Sequence, residues 1–352
     1  MLAREAAVTL SVSVIIPTYN RAHLIRRAID SALAQTTASD EIIVVDDGST
    51  DATGSVVAAY ADRVRYVRTE NGGAGAARNR GIREASRDLV AFLDSDDEWM
   101  PGKLELARSW LAARPDVLFV FSEFAVTDDA GRPRRRHLIH WHHDERSWDE
   151  ILGPGVTYSS VARLPDGIPD FRVHVGSLYE REFVRGYVLT SSFVARRVEA
   201  GDALHFAEDV PTLEDLECFG RVSARGPAAF FDTETAWQHG HAGERLSMAI
   251  DSLRRAETNI LILERVWGSN PAFIARHGDA YRRVLDELEH TRVGDLIVLG
   301  RLREAREALG RMLQPPLPYQ IFARLPAPLV RALLALRKRL LVSPPAPRSA
   351  DT

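Results

Sequence analysis

FLDSDDEWMP, residues 92–101, opens as an apolar run and then sets Asp94, Asp96, Asp97 and Glu98 within five positions. Carboxylates that close repel one another, so the segment calls for solvent, a shared proton or a cation. The preceding DLVAFLD (88–94) reads as a buried strand, which puts the acidic cluster at a strand's carboxyl end. Working outward, VSVII (12–16), EIIVVDD (41–47), RVRYV (63–67) and DVLFVFSEF (116–124) are further short strand-like runs. Between them, Leu24, Ile25, Ala28, Ile29, Ala32 and Leu33 recur at helical spacing, with Asn20 placed as an N-cap. GSTDATGSVVAAYAD (48–62) reads as a turn plus helix, and GAARNRGIREAS (75–86) as a helix approached through glycines. Strands alternating with helices predict right-handed βαβ units, an α/β fold and a mixed, mostly parallel sheet flanked by helices. Ligands of such sheets sit at the carboxyl ends of the strands, so Asp46, Asp47, Asp94 and Asp96 share one functional rim.

The chain has 352 residues, 45% apolar and 27% charged, which is the composition of an ordinary globular protein. A formal net charge of −4 gives no global field for nucleic acid. Lys103 and Lys338 are the only lysines in an arginine-dominated chain, a bias of composition that carries no functional weight by itself. The single cysteine, Cys218, cannot form an intrachain disulfide, and a reducing cytoplasm is the expected compartment. The N-terminal segment lacks a basic stretch leading into a long apolar one, so no signal peptide is expected. No run approaches the ~20 apolar residues of a spanning helix.

Past residue 130 the pattern loosens. GRPRRRHLIHWHHDERSWDE (131–150) reads as a surface excursion or lid, and TLEDLECFGRVSARG (212–226) as a helix with an acidic start. Residues 249–313 look helical, giving a helical C-terminal extension. The expected divisions are 1–125, 126–248 and 249–352. His137, His140, His142 and His143 match no standard zinc spacing, and with Trp141 and Trp148 they suit an acceptor-side loop better. The tail 315–348 is apolar and basic with no acidic residue. Such a segment either lies on an anionic membrane surface, through 315–345, or docks on the domain's own core.

VSVIIPTYNR (12–21), VVDDGSTD (44–51), NGGAGAARNRGI (71–82) and FLDSDDEW (92–99), in that order and spacing, resemble the nucleotide-binding half of the family 2 glycosyltransferases, which have the GT-A fold. The resemblance covers about the first 125 residues and resumes at PTLEDLECFGR (211–221) and WQHGHAGERLS (237–247). It implies an inverting, metal-dependent transferase that moves sugar from a nucleoside-diphosphate donor to a hydroxyl of a saccharide or lipid-linked acceptor. The implied setting is cell-surface glycan assembly, with a cytoplasmic location that becomes peripheral at the inner face of the cell membrane if the tail binds lipid. Pro17, Thr18, Tyr19, Asn20, Asp46 and Asp47 would then line the base and ribose pocket. The competing reading of Asp46 and Asp47, with Gly48 and Ser49, is a turn that caps the next helix.

NGGAGAARN fits neither a Walker loop nor a dinucleotide fingerprint. Gly73 belongs to a segment closing over the donor, with Arg78 available to a phosphate or to a nearby carboxylate. The resemblance assigns Asp94-Ser95-Asp96 to a divalent cation and the donor, with Asp97 as helper. Hard oxygen ligands select Mg²⁺ or Mn²⁺. It assigns the general base to Glu214-Asp215, with Asp215 as base and Glu214 beside it. His239 or His241 would reach back to the diphosphate or metal. Self-association into a homo-oligomer stays open. The rival classes are a sugar-nucleotide-forming nucleotidyltransferase, which would want a Gly-rich basic loop where this chain has PTYNR, and a non-catalytic scaffold.

Overall fold

The structure is a computed structural model that describes residues 9–128, 131–142, 144–240, 250–326, 328–330 and 333. Among the described residues there are eleven strands: β1 Val12–Thr18, β2 Glu41–Asp46, β3 Arg65–Arg68, β4 Leu89–Phe92, β5 Asp97–Trp99, β6 Phe119–Thr127, β7 Pro133–Arg134, β8 Val156–Thr157, β9 Arg172–Gly176, β10 Val194–Arg196 and β11 Ala228–Gln238. In the first compact unit, Met1–Glu244, the helices are α1 Ile25–Leu33, α2 Thr53–Ala58, α3 Gly73–Glu84, α4 Lys103–Ala113, α5 Leu138–His142, α6 Trp148–Ile151, α7 Tyr179–Glu182, α8 Arg197–Ala200 and α9 Glu214–Ser223.

One sheet in the order β3-β2-β1-β4-β10-β6-β11-β9-β8 organises this unit. β1, β2, β3 and β4 pair in parallel, as do β6 and β11, whereas β10 runs antiparallel between β4 and β6. Segments from both halves of the unit therefore share one sheet. β1 and β4 are buried along their whole length because both faces carry helices, which is why they read as unbroken β-branched and aromatic runs. The aromatic core beneath includes Phe92, Phe193, Phe206 and Phe219, with Phe193 and Phe219 ring centroids 4.7 Å apart.

The glycines of α3 have a packing reason. A Cβ at Gly81 would come within 2.3 Å of Ile15 Cγ2, and one at Gly75 within 2.9 Å of the Ala207 carbonyl oxygen. The helix thus lies flush against β1 on one side and against the 206–214 segment on the other.

Four local expectations change. Asn20 does not cap α1, which begins after Leu24. Its backbone is left-handed (φ 52°), and its Oδ1 accepts Thr50 N–H at 2.8 Å, fastening the loop after β1 to the loop after β2. The third strand runs from 65 to 68 rather than 63 to 67. The acidic stretch holds a short strand of its own, β5, paired antiparallel with β11. Trp148 is no free platform: its ring stacks on Phe230 with centroids 3.7 Å apart, whereas Trp141 stays exposed.

The second unit, Arg245–Thr352, is helical: α10 Ser252–Leu263, a π turn over Glu264–Gly268, α11 Pro271–Val298, α12 Leu302–Leu309 and α13 Leu317–Arg324. Asp251 caps α10, and Asn270 caps α11 ahead of Pro271 at the first helical position. Leu296, Ala305, Ala308, Ala323 and Val330 form its core, so the start of the basic tail docks on protein. No helix among the described residues is long and apolar enough to cross a membrane.

Candidate active site

The carboxyl ends of β1, β2 and β4 bring the expected residues to one rim and divide them into two kinds. Asp46 is fully enclosed; its Oδ1 accepts Ser49 N–H at 2.7 Å and its Oδ2 accepts the Tyr66 hydroxyl. That is the turn-forming reading, not a ligand's. Asp47 accepts the N–H groups of Gly72 (2.9 Å) and Gly73 (2.8 Å), so its carboxylate sits on the start of α3 rather than of the next helix. Burial pushes its pKa up against those two donors. Pro17 and Thr18 are buried, and Tyr19 is exposed beside them. Thr18 Oγ1 is enclosed with no hydrogen-bond partner among the described residues, a polar atom left for something else.

Arg78, on α3, ties the two halves of the unit together. Its Nη2 donates to Asp94 Oδ1 at 2.8 Å and its Nη1 to Glu214 Oε1 at 2.7 Å, and its guanidinium lies over the Phe206 ring. The side chain is buried. Burial opposes its charge, but the flanking carboxylates outweigh it and hold the pKa above the usual arginine value. Asn79, the next residue, grips the same segment: it donates to the Phe206 carbonyl and accepts Phe206 N–H, both at 2.8 Å.

α9 begins with Glu214 and Asp215 immediately after Leu213, whose left-handed backbone (φ 63°, ψ 20°) is strained for a side chain of that size. Such strain persists only where the surroundings fix the chain, here at the acidic helix start. Asp215 Oδ1 accepts Leu216 N–H at 2.8 Å. Burial first, then the charge of Glu214, raises its pKa to about 7, with Arg78 pulling the other way. Glu182 of α7, buried with its Oε2 accepting the Ser223 hydroxyl at 3.0 Å, is likewise raised by burial, to about 8.

At the end of β4, burial raises the pKa of Asp94, with Asp96 adding to the effect and Arg78 opposing it. Asp94 and Asp96 are half-buried at the rim. Asp97 and Ser95 are not on the surface: Asp97 is buried and its Oδ2 accepts the Ser191 hydroxyl at 2.5 Å. The helper role expected of Asp97 is therefore corrected, because its carboxylate is committed inward. His239, after β11, places Nε2 2.9 Å from Glu98 Oε2. Burial and Arg27 lower its pKa, against Glu98 and Asp96. His241 lies outside the described residues.

Asp94 and Asp96 offer hard oxygen donors, and no group of three His, Cys, Asp or Glu able to hold a metal occurs among the described residues. Two carboxylates fit Mg²⁺ or Mn²⁺ all the same. Mg²⁺ typically takes one or two carboxylates and fills its remaining positions with substrate phosphates and water.

Four residues of this neighbourhood receive no functional role from the sequence: Asn79, Glu182, Ser191 and Lys103. Lys103 is buried, donates to the Ser192 carbonyl at 2.8 Å, and burial lowers its pKa to about 7. Its rarity in an arginine-rich chain is the one signal that could have found it.

A mostly parallel sheet with an acidic rim at its carboxyl edge, facing an acidic helix start, is the layout of the GT-A glycosyltransferases, and solved structures of that class match it. TarS of S. aureus, solved with UDP-GlcNAc, is 18% identical with a TM-score of 0.58, over 89% of this chain and 84% of that one. A mannosyltransferase of Pyrobaculum calidifontis, solved with GDP-Man and Mn²⁺, is 19% identical with a TM-score of 0.51, over 96% and 89%.

Residues 13–186, just under half of the chain, match the sequence model for glycosyl transferase family 2, and this segment belongs to that family. An uncharacterized glycosyltransferase of Rickettsia typhi is 49% identical over 94 residues, 27% of this chain and 30% of that protein. The UDP-Glc:alpha-D-GlcNAc-diphosphoundecaprenol beta-1,3-glucosyltransferase WfgD of Escherichia coli is 38% identical over 120 residues, 34% and 47%. The matched segments thus span 30% and 47% of those relatives, less than half of either.

Proposed function

We propose that the chain is an inverting glycosyltransferase that moves a sugar from a nucleoside-diphosphate donor to a hydroxyl of a saccharide or lipid-linked acceptor, in cell-surface glycan assembly. The observation that carries this reading is the Arg78 bridge. It sets the acidic rim at Asp94 and the acidic helix start at Glu214 on either side of one guanidinium. In this reading Thr18, Tyr19 and Asp47 take the nucleoside side of the donor, while Asp94 and Asp96 face its diphosphate. A bound Mg²⁺ or Mn²⁺ would neutralise charge on the departing diphosphate. The Asp215 carboxylate removes the acceptor hydroxyl proton as that oxygen attacks the anomeric carbon, and the bond to the leaving diphosphate breaks on the opposite face. Glu214 orients the acceptor, since neighbouring residues of a helix point about 100° apart and cannot serve one hydroxyl equally.

The solved relatives support the donor class and leave its base open, for one holds UDP-GlcNAc and the other GDP-Man. A thermal-shift screen of UDP-, GDP- and dTDP-sugars with and without Mn²⁺ tests the reading. One nucleotide series is expected to raise the melting temperature only with metal. A ligand at a hundred times its Kd stabilises by about 2.7 kcal/mol. No shift with any of the three refutes the reading.

Membrane contact through 315–345 is the second part of the proposal. Leu317, Ile321 and Leu329 are exposed while Ala323 and Val330 face the protein core, which leaves an apolar outer side near Arg324. The double variant L317E/I321E, changed only at exposed positions, is expected to lose co-sedimentation with anionic vesicles. Equal pelleting of the variant and the unaltered chain excludes the contact.

A further inference from the structure

We propose that Ser191 is a positioning residue for the acidic rim, setting the spacing of Asp94 and Asp96 from a segment nearly a hundred residues away. The inference rests on the donor-side role given to that rim above. Asp94 to Asp97 form a turn closed by Asp97 N–H donating to the Asp94 carbonyl at 3.0 Å. Asp94 and Asp96 occupy its first and third positions. Ser191, fully buried in a short 3₁₀ turn over Thr190–Ser192, holds both ends of it with one hydroxyl. The oxygen accepts Asp94 N–H at 3.1 Å, and its hydrogen goes to Asp97 Oδ2 at 2.5 Å. A hydroxyl has one hydrogen to give and lone pairs to accept with, so the two bonds coexist.

The serine's carbonyl takes a third grip: Trp99 Nε1–H donates to it at 2.8 Å. Lys103 Nζ–H donates to the neighbouring Ser192 carbonyl and lies 5.4 Å from the centre of the Trp99 ring. The turn, β5 and the start of α4 are thus all registered against residues 191 and 192. A run of carboxylates that repel one another does not hold a single conformation by its own local preference. An outside clamp supplies it. The Asp97 carboxylate, a helper to the metal by the family resemblance, is instead the buried handle by which the turn is held.

Amide hydrogen exchange over residues 92–100, measured on the full chain without ligand, reads the clamp directly. S191A is expected to speed exchange at Asp94 and Asp97 about tenfold, the equilibrium effect of one lost hydrogen bond. Peptides of β1 and β2 should stay unchanged, and S191T, which keeps the hydroxyl, should restore the slow rate. If S191A does not fold, S191C keeps the volume with a weak donor and carries the same comparison.

The second measurement is the Mn²⁺ concentration for half-maximal binding of UDP or GDP. It should rise about tenfold in S191A and recover in S191T, with nucleotide affinity at saturating Mn²⁺ unchanged. Unaltered exchange, or an unaltered Mn²⁺ requirement, overturns the proposal. If the unaltered chain captures neither nucleotide with Mn²⁺, the glycosyl-transfer reading fails, while the exchange rates still decide the clamp.

Discussion

Asp215→Asn is expected to lower sugar transfer by about 10²–10⁴-fold, the usual share of a general base, with donor affinity close to that of the unaltered chain. The substitution keeps the shape and the oxygen that accepts Leu216 N–H, so the fold has little reason to change. What it removes is the ability to take a proton. Burial and the adjacent Glu214 raise the Asp215 pKa to about 7, which suits a base working near neutrality. The sign follows directly. Below that pKa the group is a neutral acid and cannot accept the hydroxyl proton. The rate per donor therefore climbs as pH rises through about 7 and levels off above it. In the asparagine variant the residual rate should lose this dependence. Turnover close to that of the unaltered chain, or a pH profile that survives the substitution, would remove Asp215 from the mechanism.

Arg78→Ala should be the most destabilising single change in the site. The guanidinium is buried and pairs with Asp94 and Glu214, two carboxylates that are themselves largely shielded. Removing one member of a buried ion pair typically costs about 3–5 kcal/mol, because the charge left behind is no longer compensated. For a unit of this size each kcal/mol moves the melting temperature by roughly 2–4 °C, so a fall of about 6–20 °C is expected. Adding Glu214→Gln should recover part of the loss, since it deletes one of the stranded charges. Arg78→Lys should fall between, because an ammonium lacks the planar fork that serves two carboxylates at once. A melting temperature within a degree or two of the unaltered chain's would show that the bridge does not hold the site together.

The residues that were legible in sequence are those whose reason for being there is local. VSVII, EIIVVDD and DLVAFLD announce themselves because a strand covered on both faces needs an unbroken apolar run, and each appears in the sheet within a residue or two of its expected end. The acidic rim was legible for the same reason, as the polar end of such a run. β5 was hidden inside it. Its three residues include two carboxylates, and only the pairing with β11, contributed from far along the chain, makes them a strand.

Asn20 looked like a cap because its residue type caps helices, yet its oxygen is spent on Thr50. The cause is a neighbour in space, which spacing along the chain does not encode. Ser191 is the extreme case. One serine of the pair in YVLTSSF carries no pattern, and its meaning arises only when β10 lies beside β4 and sets its hydroxyl against Asp94 and Asp97. The opposite fate of Asp97, acidic in pattern and buried in fact, has the same origin.

The antiparallel β10 also governs when the protein can become itself during synthesis. Among the described residues it alone joins β4 to β6, so a nascent chain that has emerged from the ribosome as far as residue 186, where the family match ends, lacks it, and lacks β11 on the other side of β6 as well. Both flanking strands then present bare backbone to the crowded space around the exit tunnel, an invitation to mispair with other polypeptides. The sheet is complete only once Val194–Arg196 and then Ala228–Gln238 have been made, which makes a truncation at the end of the family match a poor choice of recombinant fragment.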